Sequence, residues 1–79
     1  MHSSHILRDF DQAITALRNE VLTMAAKARH NLERAICALL ERNVELANAV
    51  IADDDEVDDA ERKIDQLGMD ILVRFHPVA

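Results

Sequence analysis
Seventy-nine residues, 49% of them hydrophobic, with a net charge of −6, describe one small domain able to bury surface, and they argue against disorder. The acidic balance argues against nucleic acid as the main partner, because phosphate contacts need clustered Lys and Arg. A single cysteine, Cys37, excludes an internal disulfide framework, and no apolar run approaches the ~20 residues of a membrane span.

The first residues, Met1-His2-Ser3-Ser4-His5, lack the basic and apolar regions of a signal peptide, so a cytoplasmic location is expected. One Gly, one Pro and a preponderance of Ala and aliphatics predict long uninterrupted helices rather than sheet. Leu7, Phe10, Ile14, Leu17, Val21, Met24 and Ala28 recur at spacings of three and four, a heptad-like stripe. After Ala28 the phase slips to Leu32, Ala35 or Ile36, and Leu39, a slip that relaxes supercoiling. Ala25, Ile36 and Leu40 broaden the stripe, as for a helix touching more than one neighbour. Ser3 or Ser4 is the expected N-cap, and the first helix is expected over about 5–42, roughly 55 Å long.

Asn43 is the natural break, since Asn tolerates a left-handed cap and also starts helices. A break this short makes the two helices antiparallel neighbours. The second helix is expected over about 44–75, on Leu46, Val50, Val57, Ala60, Ile64, Leu67, Ile71 and Phe75. Asp53 puts an acid into that stripe, so a kink or restart capped by an Asp is expected near 53–55. Gly68 suggests close approach by another helix, and Pro77, with His76 before it, ends the element. The predicted class is all-α, an antiparallel two-helix hairpin.

Residues 43–79 carry ten acids and three bases, a net −7, against a net +1 over 1–42 from six bases and five acids. Asp54, Asp58, Glu61 and Asp65 recur at +4, +3 and +4, which places four carboxylates on one helix face. Like charges at this spacing repel. The plain reading is a solvated face, partly neutralised by Arg62 and Lys63. The sharper reading is part of a site for a hard or borderline cation, which favours oxygen ligands. One helix supplies only part of such a shell, so further ligands must come from another helix or chain.

His2, His5, His30 and His76 have no useful two-ligand spacing beyond the terminal His2/His5 pair. Cys37, between Ile36 and Leu39, reads as a small core residue, Met24 as core and Met69 as a helix filler. Ser3 and Ser4 lack a His/Asp context, and there is no phosphate-binding Gly loop and no Glu-x-x-His pair. No catalytic constellation is visible, and an enzyme is not expected.

Leu17-Arg18-x-x-Val21-Leu22-x-Met24, Leu32-x-x-Ala35 and the run from Asn43-x-x-Leu46-Ala47 through Asp54, Val57-Asp58, Glu61 and Ile64-Asp65 resemble the start of the PhoU family. The ending Arg74-Phe75-His76-Pro77-Val78-Ala79 resembles that family's junction before its third helix. The resemblance implies a partial three-helix bundle and a regulator coupling the phosphate ABC transporter to a sensor kinase in phosphate-starvation signalling. It also implies iron, zinc or another divalent metal on paired acidic motifs, to which Asp54-x-x-x-Asp58 and Glu61-x-x-x-Asp65 correspond. Asn43 stands where the family often has Asp, and Ala60 replaces a larger apolar residue. The third helix with its matching motif, and the family's second bundle, are not in this sequence.

A lone hairpin buries one interface, and the stripe on the first helix is wide enough for a second. Leaving it wet would forfeit several kcal/mol at ~25 cal/mol per Å² of apolar area. Self-association of two hairpins into a four-helix bundle is therefore expected. The contrasting reading is a purely structural hairpin for oligomerisation, with no metal or phosphate role.

Overall fold
The computed structural model describes residues 2–75 and consists of two helices, α1 (His2–Glu41) and α2 (Val44–Arg74). They run antiparallel along each other in a rod of 60 × 18 × 16 Å. There is no strand among the described residues. His76 and Pro77 lie outside them.

The connection is two residues long and its geometry follows from backbone hydrogen bonding. The Asn43 amide donates to the Ala38 carbonyl at 2.9 Å and the Arg42 amide to Leu39 at 3.4 Å. This pair of bonds is a Schellman motif, which satisfies carbonyls left over at the end of α1. The motif requires a left-handed residue, and Arg42 takes it, with φ 52°. The left-handed position therefore falls one residue before Asn43. Asn43 is extended (φ −90°, ψ 99°) and caps α2, its Oδ1 accepting from the Leu46 amide at 3.0 Å. Glu45 in the first turn of α2 and Arg74 in the last suit the helix dipole.

α1 begins at His2, ahead of both Ser3 and Ser4, so neither serine precedes the helix as its cap. α2 runs without a restart through Asp53–Asp55, and no Asp caps a second segment. The acid at the seam is accommodated because Arg34 of α1 donates from Nη1 to Asp53 Oδ2. An opposite charge across the interface removes the reason for α2 to break there.

Leu46, Val50, Asp53, Val57, Ala60, Ile64, Leu67 and Ile71 alternate at +4 and +3, and every one is half-buried against α1. On α1 the matching row is Ala13, Leu17, Met24, Asn31, Ala35 and Ala38. Three ion pairs step along the seam: Arg34–Asp53 near the turn, Lys63–Glu20 at 2.8 Å in the middle, and Arg74–Asp9 at 3.2 Å at the open end. From the turn outward α1 presents base, acid, acid and α2 presents acid, base, base. A slip of one heptad would separate all three pairs, so their order favours this register. At the open end Phe10 and Phe75 meet edge-to-face, centroids 5.3 Å apart, with the Arg74 guanidinium 4.9 Å from the Phe75 ring centre.

The seam buries little. Ala38, at 5% exposure, is the one buried side chain among the described residues. Cys37, next to it, is exposed on the side away from α2, so it is not a core residue. Leu7, Val21, Leu32, Ile36 and Leu39 are also exposed. The single stripe expected on α1 thus resolves into two. One faces α2 and the other lies about a quarter-turn round the helix, at 100° per residue.

Gly68 is not a point of close approach, because a Cβ built there meets nothing within 4 Å. Gly68→Ala is therefore expected to stabilise the chain by about 1 kcal/mol, since the helix-propensity gain comes without a clash. A thermal melt should show a midpoint about 4–8 °C higher. An unchanged or lower midpoint would mean that something packs against this position.

Candidate acidic face and apolar groove
Asp54, Asp58, Glu61 and Asp65 all lie exposed on α2, and the helical period brings them onto one ridge. The same +3/+4 row extends to Ile51 before them and, through Gly68, to Leu72 after them, 70% and 60% exposed. The ridge is therefore a carboxylate segment bracketed by apolar ends. Sequence reading alone placed neither bracket, although the spacing contained both.

Two bases expected to neutralise this ridge are engaged elsewhere. Arg62 donates to Asp59 Oδ1 at 2.8 Å, and Lys63 crosses to Glu20 of α1. Among the described residues no ion pair reaches Asp54, Asp58, Glu61 or Asp65. Asp53, one residue from the ridge, turns into the seam instead. Its partnership with Arg34 was legible in principle, because the two lie at nearly equal distances on either side of the turn at Asn43.

Near the turn, the two helices flank an open apolar groove of about 470 Å³. Ala35, Ala38 and Leu39 of α1 form one wall, and Val44, Ala47 and Ile51 of α2 the other. Small side chains on both helices leave the space. Leu39 belongs to the outer stripe of α1 and Ile51 to the carboxylate row of α2. Both rows therefore border the same broad face of the hairpin.

The carboxylates offer the hard oxygen donors that divalent cations take. One row on one helix does not close around an ion. Among the described residues no three His, Cys, Asp or Glu side chains come together to hold a metal. The donor chemistry fits, and the geometry is that of one half of a site. No helix among the described residues is long and apolar enough to cross a membrane.

The family model described as the PhoU domain matches residues 21–79. The phosphate-specific transport system accessory protein PhoU homolog of Rhizobium meliloti is 30% identical over 79 residues, which is all of this chain and 33% of that protein. The PhoU protein of Escherichia coli is 30% identical over 77 residues, 98% of this chain and 32% of its own length. Homolog 1 of Thermotoga maritima is 30% identical over 69 residues, 87% of this chain and 30% of its own. No solved structure gives a match. The chain spans about a third of the length of the curated relatives it matches. With the match running through the second half of α1, all of α2 and its acidic ridge, the chain belongs to the PhoU domain family.

Proposed function
We propose that the chain acts in the regulation of phosphate uptake and phosphate-starvation signalling, as a non-enzymatic, cytoplasmic protein-binding adaptor. Its partners on this reading are the phosphate ABC transporter and a sensor kinase. The names of its relatives support the phosphate connection, each being an accessory protein of a phosphate-specific transport system. One structural observation carries the reading: a carboxylate ridge without an ion pair among the described residues borders an open apolar groove on one face. Such a face suits a docking surface that combines apolar contact with charge recognition.

On the same reading Asp54, Asp58, Glu61 and Asp65 supply one half of an iron, zinc or other divalent-metal site. A facing carboxylate row from another helix would complete it. A bound cation would offset the repulsion between carboxylates at i,i+4. A structural hairpin with a solvated ridge is the competing reading. It is favoured by the lack of any three metal-binding side chains gathered together among the described residues.

Thermal melts with and without iron, zinc or manganese separate the two. The metal reading expects a higher midpoint, about 2.7 kcal/mol of stabilisation at a hundredfold excess over Kd, and its loss in Asp58→Asn. The structural reading expects no shift in either chain. For the adaptor role, a phosphate-starvation reporter is measured in cells lacking their own PhoU protein. Expression of the chain is expected to lower the reporter when phosphate is plentiful, and an unchanged reporter would count against the proposal.

A further inference from the structure
Only Arg42 and Asn43 stand between α1 and α2, and neither is a glycine or a proline. Arg42 nevertheless takes the left-handed position, φ 52°, where its Cβ crowds the following carbonyl. Every residue from Leu39 to Leu46 is of a type that can also continue a helix. A straight helix across the turn would relieve Arg42 and lose the Asn43 cap.

The seam would survive such straightening. In sequence, the midpoints of Asp9–Arg74, Phe10–Phe75, Glu20–Lys63 and Arg34–Asp53 all fall between Glu41 and Val44. Two straight chains laid antiparallel about a twofold axis at Arg42–Asn43 would therefore form the same four contacts between chains, each of them twice. The seam rows also stay in phase. At 100° per residue, Asn31, Ala35 and Ala38 point within about 60° of Leu46, Val50 and Asp53 once the helix is continuous. Leu39, 79% exposed in the hairpin, would come to lie opposite Leu46 of the second copy. We infer that the connection is an exchange hinge, through which two copies of this chain swap α2 as straight helices. Exchange uses the α1–α2 contacts already present in the hairpin, and needs neither the outer stripe of α1 nor the carboxylate ridge.

Sedimentation equilibrium combined with energy transfer within one chain tests the hinge. In a Cys37→Ser background, Leu7→Cys and Leu72→Cys carry a donor and an acceptor dye, both at exposed positions. The two lie at the open end of one hairpin, and roughly 100 Å apart in a straight helix. Labelled chain is diluted into excess unlabelled chain, so that transfer reports a single molecule. Pairs of the parent chain are expected at about 1 mM, with transfer lost as they form. Asn43→Ala removes a cap from each hairpin and is expected to tighten pairing about thirtyfold. Val44→Pro acts in the opposite direction. Proline suits the first position of α2 after the extended Asn43, and it interrupts a continuous helix. This variant is expected to keep the helicity of the hairpin and to lose the exchange. Pairs that retain transfer would overturn the hinge, because hairpins would then dock without swapping. Single Asn43→Ala chains at about 1 mM, or Val44→Pro chains that pair as the parent does, would overturn it equally.

Discussion
Arg34→Ala is expected to lower the thermal midpoint by about 5–15 °C, a loss of ~1–2 kcal/mol. Arg34 and Asp53 sit at the seam, their side chains 24% and 43% exposed. Removing one partner of a fully buried pair costs ~3–5 kcal/mol, and partial solvation here reduces that figure. The cost arises because Asp53 would keep its place in the apolar row without a counter-charge. Removing both charges should act differently. Arg34→Leu combined with Asp53→Leu restores apolar continuity, and the double variant is expected to melt at or above the parent. If the pair instead sets register, the double variant keeps its stability but loses uniqueness, visible as broadened amide resonances. A single Arg34→Ala chain as stable as the parent would show that Asp53 can reach water from the seam unaided.

Phe75→Ala is expected to cost a similar ~1–2 kcal/mol, concentrated at the open end of the hairpin. Phe75 caps α2, its amide donating to the Ile71 carbonyl at 2.9 Å, and its ring closes against Phe10. Phe10 is 37% exposed, so the loss falls below that for a fully buried ring. The Arg74 guanidinium lies against the same ring while it pairs with Asp9. Truncation therefore loosens three contacts together. Amide exchange is expected to quicken from Leu67 to Arg74 and to stay unchanged near Asn43. Uniform quickening along α2 would mean that the hairpin opens as one unit, with no separate clasp.

Most of the architecture was legible because helical period and turn chemistry are local properties. Two antiparallel helices, the break at Asn43 and the heptad row on α2 all follow from spacing and from one capping residue. The exceptions share a physical origin in what lies across the interface. Asp53 reads as a breaker until Arg34 is known to face it. Cys37 reads as core until the direction of Ala38 fixes which side of α1 meets α2. Gly68 reads as a contact until the space beside it is found open. The acidic ridge was visible at +4, +3, +4, but its lack of ion-pair partners was not. Sequence neighbours Arg62 and Lys63 are bound to Asp59 and Glu20, a choice made by side-chain geometry.

Small-angle X-ray scattering of the chain tests the paired helices most directly. The hairpin alone has a radius of gyration of 18.0 Å, against about 12 Å for a compact chain of this length. Two helices laid along each other as a rod should keep that 18.0 Å radius, with a long axis of 60 Å. A radius near the compact value of about 12 Å would contradict the account, because the two helices would then not lie along each other as one rod.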